Sequence, residues 1–105
     1  MIAVGRAFFW NDSMSQETRW RIRFFGRVQK VGFRYTALRI AGKLGLTGWV
    51  RNLSDGSVQT EVQGKPSEMR KFLILLKGQP HLHIVKYTIE EIPAQQGERK
   101  FRVSG

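Results

Sequence analysis

The segment that most constrains the fold runs from Gly26 to Arg34 and reads Gly-Arg-Val-Gln-Lys-Val-Gly-Phe-Arg. An alternating apolar run from Trp20 to Phe25 leads into it, and apolar residues at helical spacing lead out of it towards Leu44. The pattern predicts a strand, a turn with glycine at both ends, and a helix whose first turn carries an arginine. Successive N–H groups in such a turn converge on an anion, and the helix N-terminus adds positive potential. Because the arginine adds a planar fork for phosphate oxygens, the segment predicts phosphate capture without a metal.

This segment is not a P-loop. Its glycine spacing is wrong, and no Lys-Ser or Lys-Thr pair follows the second glycine.

Composition limits the class of protein and the sign of its partner. A chain of 105 residues is long enough for one domain with a single core. Its formal charge of +10 favours an anionic partner, either nucleic acid or a small phosphorylated molecule, although charge spread for solubility would look the same. No apolar run approaches the roughly 20 residues that cross a bilayer, so no membrane partner is expected. The chain has no cysteine, which fits a cytoplasmic protein.

The N-terminal residues 1–18 read differently from the rest of the chain. They lack sustained periodicity, and Asn11 to Ser13 has the composition of a turn or loop. The early apolar stretch from Val4 to Trp10 is too short for a signal peptide and lacks a small-residue cleavage site. Met14 is a possible alternative start. We therefore predict a mobile extension or start-site artefact over residues 1–18, followed by one domain over residues 19–105.

Hydrophobic periodicity predicts five strands and two helices. The strands are expected at about 19–26, 46–52, 57–63, 83 to near 93, and 99–103. The helices are expected at about 33–44 and from Pro66 or Ser67 to the Gly78–Pro80 stop. In the third strand, Val58, Thr60 and Val62 are predicted to point inward. In the fourth strand, alternation predicts one face that is lined by His83, Val85, Tyr87 and Ile89.

The order βαββαβ plus a short last strand predicts a ferredoxin-like α+β sandwich. In this fold an antiparallel sheet of four to five strands carries both helices on one face. The direction of each strand then brings the turn after strand one, Asn52 at the end of strand two, and the C-terminal residues to the same edge of the sheet.

These residues resemble one known family. The block Gly26 to Arg34, followed by Gly-Trp-Val-Arg-Asn at 48–52 and Asp-Gly-Ser-Val at 55–58, is similar to acylphosphatase over about residues 19–104. The resemblance implies an enzyme that hydrolyses the carboxyl-phosphate bond of small acyl phosphates to carboxylate and phosphate, with no metal or other cofactor. It also implies a phosphate-binding arginine at Arg34 and a water-orienting asparagine at Asn52. The phosphate-binding turn would comprise Gly26, Arg27, Val28, Gln29, Lys30, Val31 and Gly32.

One position departs from the family pattern, because Lys30 stands where the family usually has glycine. A positive φ at this position would be costly for lysine. Alternatively, the ammonium group helps to bind anions.

The chemistry of the residues fits this activity. A carboxylate is a good leaving group, so no strong general acid is required, and an amide can hold a water in line with the P–O bond. The final proton acceptor stays open, with the substrate phosphate as one candidate. A subsidiary hypothesis is that the terminal carboxylate of Gly105 reaches Arg34 and fixes its rotamer.

Two other functions compete with the hydrolase. RNA-recognition domains share the βαββαβ order and a basic charge, but the predicted third strand, 57–63, carries no aromatic residue for stacking. The second alternative is a regulatory domain of a larger enzyme, since acylphosphatase-like modules also occur inside larger chains such as hydrogenase-maturation carbamoyltransferases. A metal site on His81 and His83 is disfavoured, because no third ligand lies nearby in the sequence. The sequence thus favours a monomeric enzyme with no nucleic acid partner.

Overall fold

A computed structural model of the chain describes residues 17–105. It contains seven elements in the predicted order: β1 Thr18–Arg27, α1 Phe33–Lys43, β2 Thr47–Asn52, β3 Val58–Gly64, α2 Pro66–Lys77, β4 His83–Ile92 and β5 Phe101–Val103. The predicted extension falls outside the described residues, except for Glu17 and Thr18. Thr18 is already the first residue of β1.

The five strands form one sheet in the order β4-β1-β3-β2-β5. β1 pairs antiparallel with β3 and β4, and β2 pairs antiparallel with β3, whereas β5 pairs parallel with β2. The predicted ferredoxin-like fold is confirmed, but the sheet is mixed rather than purely antiparallel. The parallel pair arises because the chain crosses from β4 at one edge of the sheet to β5 at the other. There β5 runs in the same direction as β2.

Both helices bury their apolar stripes in one continuous core. This core includes Phe33, Ala37 and Ile40 of α1 and Met69, Phe72, Leu73 and Leu76 of α2. The predicted inward residues of β3, Val58, Thr60 and Val62, are all 0% exposed. Burying each large apolar side chain contributes about 1.5–3 kcal/mol, so the core fixes both helices against the sheet. No helix in residues 17–105 combines the length and the apolar character of a membrane span.

A bulge in the pairing of β1 with β4 changes which residues of β4 face the core. Phe25 pairs with Lys86 but Gly26 pairs with Ile84, so the register slips by one residue at this point. As a result Ile84 and Tyr87 pack on the core, whereas Val85 is 70% exposed. The prediction that His83 and Val85 share a face with Tyr87 was therefore wrong, because the extra residue reverses the alternation.

An arginine on the other face of the sheet is buried, which the sequence pattern did not indicate. Arg19 is 0% exposed. Its Nε donates to Glu61 Oε1 at 2.8 Å, and its Nη1 donates to Gln63 Oε1 at 3.0 Å and to Glu98 Oε1 at 2.8 Å. Because Glu98 lies in the connection between β4 and β5, these bonds attach that connection to the sheet.

The charges in this cluster shift the titration of Glu98. Burial by itself raises the pKa of Glu98. The hydrogen bond and charge of Arg19, together with the smaller effects of Thr47 and Arg102, outweigh it, so the pKa lies below its usual value. The buried arginine therefore keeps Glu98 ionised in the folded state.

Candidate functional site

The turn between β1 and α1 presents unused backbone donors. Within residues 17–105, no N–H group of residues 28–32 donates a hydrogen bond to another residue. Val28 is fully buried and Val31 packs against the core, so these two side chains anchor the turn. Arg27 and Lys30 are exposed. The two valines thus hold the turn against the core, while its main-chain N–H groups remain available to bind an anion.

Each glycine that bounds the turn has a backbone geometry unsuited to other residues. Gly26 has φ 128°, and a Cβ there would lie 2.1 Å from the main-chain oxygen of His83. Gly32 is the N-cap of α1 in the left-handed conformation, with φ 84°. Chain reversal at this place therefore depends on both glycines.

The N-terminus of α1 faces this turn without a negative charge. The N-cap carries no side-chain cap, and the first turn of the helix has no acidic residue. Thr36 instead closes the first turn, since its Oγ1 donates to the Gly32 oxygen at 2.8 Å. His81 Nε2 lies 3.0 Å from that hydroxyl, so His81 supports the helix start. The positive end of the helix dipole is therefore free to act on an anion.

The described residues hold no cluster suited to a metal ion. Within residues 17–105, no group of three or more acidic, histidine or cysteine side chains is placed to bind one.

Arg34 and Asn52 meet at one oxygen atom. Arg34 Nη1 donates to the main-chain oxygen of Gly105 at 2.8 Å, and the backbone N–H of Asn52 donates to the same oxygen at 3.2 Å. The guanidinium and the end of β2 thus lie side by side at the edge of the sheet that carries the turn. The expected proximity of Gly105 to Arg34 is also observed.

The side-chain oxygen of Asn52 lacks a partner. Asn52 Oδ1 is buried, and it makes no hydrogen bond with any residue in the described range. A buried carboxamide oxygen without a donor is costly. The site therefore offers an acceptor that a water or a ligand donor would satisfy.

The turn from β2 to β3, which follows Asn52, is closed by hydrogen bonds between Ser57 and Asp55. Ser57 donates to Asp55 Oδ1 through its backbone N–H at 2.9 Å and its hydroxyl at 2.5 Å. The hydroxyl bond, then the backbone bond, and the charge of Arg23 lower the pKa of Asp55. Asp55 stays anionic and pairs with Arg23, so its charge is balanced beside the site.

Gln29 joins the two halves of the site, which the sequence did not reveal. Its Nε2 donates to the main-chain oxygens of Leu53 at 2.7 Å and Ser57 at 2.8 Å. Both acceptors are backbone atoms, so no side-chain pattern in the sequence could have identified them. The predicted turn residues, Arg34 and Asn52 are thus assembled at one edge.

The family follows from comparison with known proteins. The acylphosphatase family model matches residues 20–103. A relative from Bacillus licheniformis named acylphosphatase is 40% identical over 87 residues, which is 82% of this chain and 97% of the relative. This chain belongs to the acylphosphatase family. It is accordingly an enzyme of the class that hydrolyses acyl phosphates.

Solved structures agree with this family. The crystal structure of acylphosphatase from Bacillus subtilis superposes with a TM-score of 0.78 at 32% identity, covering 84% of this chain and 99% of that one. A full-length HypF structure in the phosphate- and nucleotide-bound form gives a TM-score of 0.75 at 27% identity, covering 87% of this chain but only 12% of HypF. The acylphosphatase fold therefore also occurs as a small part of a larger protein.

Lys30 takes a left-handed backbone conformation, which is costly for a residue that carries a Cβ. It is the one non-glycine residue with a positive φ, 63°, in the described part of the chain. The left-handed conformation costs a non-glycine residue about 1–2 kcal/mol. The acylphosphatase turn here therefore carries local strain at an exposed lysine.

We expect Lys30→Gly to raise the free energy of unfolding by about 0.5–1 kcal/mol, because relief of the strain exceeds the entropy cost of glycine. Urea unfolding of both proteins measures the difference. Lys100→Gly is the matched control, since Lys100 is exposed, lies outside the helices and strands, and does not have a positive φ. Equal effects of the two substitutions would contradict strain at Lys30. A higher KM only in Lys30→Gly would show that the ammonium also attracts the substrate.

Proposed function

We propose that this acylphosphatase hydrolyses the carboxyl-phosphate bond of small acyl phosphates without a metal. In this proposal the 26–32 turn and Arg34 bind the phosphoryl group, and Asn52 orients the attacking water. The observation that carries the proposal is that Arg34 Nη1 and the backbone N–H of Asn52 donate to the same Gly105 oxygen, at 2.8 Å and 3.2 Å. Because both residues contact the same Gly105 oxygen, the Arg34 guanidinium and the end of β2 lie side by side, where a phosphate ligand and a water ligand can act on one phosphorus atom.

The phosphate side of the site supplies positive potential. The unbonded N–H groups of residues 28–32 and the uncapped start of α1 provide main-chain donors. Arg34 adds two N–H groups in a fixed plane, which suits two oxygens of a phosphoryl group. Charge on those oxygens in the transition state is stabilised by the same preorganised donors, which is the role a metal has in other phosphoryl-transfer enzymes.

The water side of the site requires only positioning. Asn52 Oδ1 is a buried acceptor, so a water that donates to it is held in a defined orientation. An amide is not a base at neutral pH, and its contribution is to convert a chance encounter into a positioned attack. The carboxylate of the substrate leaves as a stable anion. The water's proton goes to a group other than Asn52, and the substrate phosphate is the candidate within reach of the same donors.

All groups in this proposal come from one chain, so we propose that the enzyme acts as a monomer. Its partners are the acyl phosphate and the product inorganic phosphate, with no nucleic acid or membrane. We also propose that it acts in the cytoplasm, a reducing compartment that suits a chain without cysteine.

The direct test is phosphate release from acetyl phosphate and benzoyl phosphate in the presence of a chelator. We expect turnover that the chelator does not reduce. Loss of turnover with the chelator and its return with a divalent cation would contradict the metal-independent reaction. Salt-sensitive RNA binding without hydrolysis would favour the competing RNA-binding function.

Arg34→Ala is expected to lower kcat/KM about 10²-fold or more and to raise the Ki of inorganic phosphate, because a charged donor is lost. Arg34→Lys should recover only part of this loss, since an ammonium lacks the planar fork. Steady-state kinetics and phosphate inhibition measure both effects. Arg39→Ala is the control on the same helix, where Arg39 is exposed. Full activity in Arg34→Lys would contradict bidentate binding of phosphate by the guanidinium.

A further inference from the structure

The amide of Gln29 has its orientation fixed by two acceptors. Both partners within reach, the main-chain oxygens of Leu53 at 2.7 Å and Ser57 at 2.8 Å, can only accept hydrogen bonds. The NH2 group must therefore face them, and each of its two hydrogens has its own acceptor. No other rotation of the amide satisfies both carbonyl groups.

This bridge is the polar connection between the two halves of the site. Within residues 17–105, the two bonds of Gln29 are the only hydrogen bonds that join the 26–32 turn to residues 52–57. One acceptor, Leu53, follows Asn52 directly. The other, the oxygen of Ser57, also accepts the Leu53 N–H at 2.9 Å, which closes the turn that follows Asn52.

We infer that Gln29 is a positioning residue that sets the distance between the phosphate-binding turn and the carboxamide of Asn52. The inference rests on the proposed function. The phosphate ligands lie on one side of the bridge and the water ligand lies on the other. Loss of the bridge therefore disturbs the line from water to phosphorus while leaving the phosphate ligands together. A misplacement of about 1 Å costs on the order of 10²-fold in rate, so a smaller shift still lowers kcat measurably.

The test is Gln29→Met, which keeps the length of the side chain and removes both donors. We expect kcat for benzoyl phosphate to fall about 10-fold or more, with the Ki of inorganic phosphate unchanged within about threefold. Gln29→Asn retains the amide on a shorter side chain and should give an intermediate kcat. If the methionine variant does not fold, Gln29→Asn provides the test of the inference instead. The fraction folded is measured for each variant by urea unfolding.

Gln63→Met is the matched control for a general loss of stability. Gln63 is a buried glutamine that donates to the backbone oxygen of Gln95 at 2.8 Å, and it pairs with Thr47 at the end of β2 away from Asn52. We expect this variant to be less stable but to keep its kcat per folded molecule. An equal loss of kcat in both methionine variants would overturn the inference, because the effect would then come from stability.

A double variant shows whether Gln29 acts through Asn52. If it does, Gln29→Met should have little effect on kcat in the Asn52→Ala background, so that the two losses are not additive. Additive losses would overturn the role of Gln29 but not that of Asn52. The same conclusion would follow if kcat were normal in Gln29→Met and impaired in Asn52→Ala. Normal kcat in Asn52→Ala would instead reject the water-orienting role in the proposed function, and the inference would fall with it.

Discussion

Replacing Asn52 by alanine is expected to lower kcat for acyl phosphate hydrolysis about 10²-fold or more, the scale of losing one preorganised polar group. The buried Oδ1 of Asn52 has no partner among residues 17–105, and alanine removes the acceptor that would orient the water. The main-chain pairing of this position with Val58 does not depend on the side chain, so the fold should survive.

Steady-state kinetics with benzoyl phosphate and the Ki of inorganic phosphate test this expectation. The Ki should change little, since Arg34 and the turn remain. Ser54→Ala is a suitable control, because Ser54 is exposed in the turn that follows Asn52. Near-normal turnover in Asn52→Ala would refute the water-orienting role.

Replacing Arg19 by alanine is expected to lower the free energy of unfolding by about 3–5 kcal/mol, the cost of removing one partner from a buried ion pair. Arg19 is 0% exposed and contacts Glu61 and Glu98, whose side chains are 9% and 12% exposed. Without the guanidinium, both carboxylates lose a buried countercharge. The connection to β5 also loses its attachment to the sheet.

Urea unfolding measures this effect, with Arg21→Ala as the control. Arg21 has the same charge and also contacts Glu61, but its side chain is 42% exposed. Exposed pairs contribute about 0.2–1 kcal/mol, so the control should lose much less stability. Similar losses in the two variants would contradict a special role for burial.

The pH dependence of the Arg19 effect has a defined sign. The folded-state pKa of Glu98 is lowered chiefly by Arg19, against the opposing effect of burial. A lowered pKa contributes stability above the unfolded-state value, and this stability is lost as the pH falls through the folded-state value. The difference in stability between wild type and Arg19→Ala should therefore be largest at neutral pH and shrink in acid.

Periodicity in the sequence was enough to predict the elements that carry the site. The alternation in β1 and β3 and the helical stripes of α1 and α2 report which side of a segment is buried, and burial dominates folding. The glycine-bounded turn and the position of Asn52 at the end of β2 then followed from the order of the elements. The roles of Arg34 and Asn52 were suggested by family resemblance, and they remain proposals for the experiments above.

The bulge opposite Gly26 is a feature that periodicity in a single strand does not predict. A strict alternation in β4 predicted that His83 and Val85 share a face with Tyr87, but one extra residue places Ile84 on the core side with Tyr87 instead. Bulges depend on how two strands pair, and β1 and β4 are separated by most of the chain. The sequence of β4 alone does not contain that information.

By itself, the sequence determined the order of strands and helices, the turn with its two glycines, and the edge at which Asn52 lies. Only the tertiary structure decided that Arg19 is buried and that Gln29 bridges to the oxygens of Leu53 and Ser57. The physical reason is that a periodic pattern records the environment of one segment. A buried ion pair and a hydrogen bond to backbone oxygens depend instead on how distant segments are oriented once they have packed together.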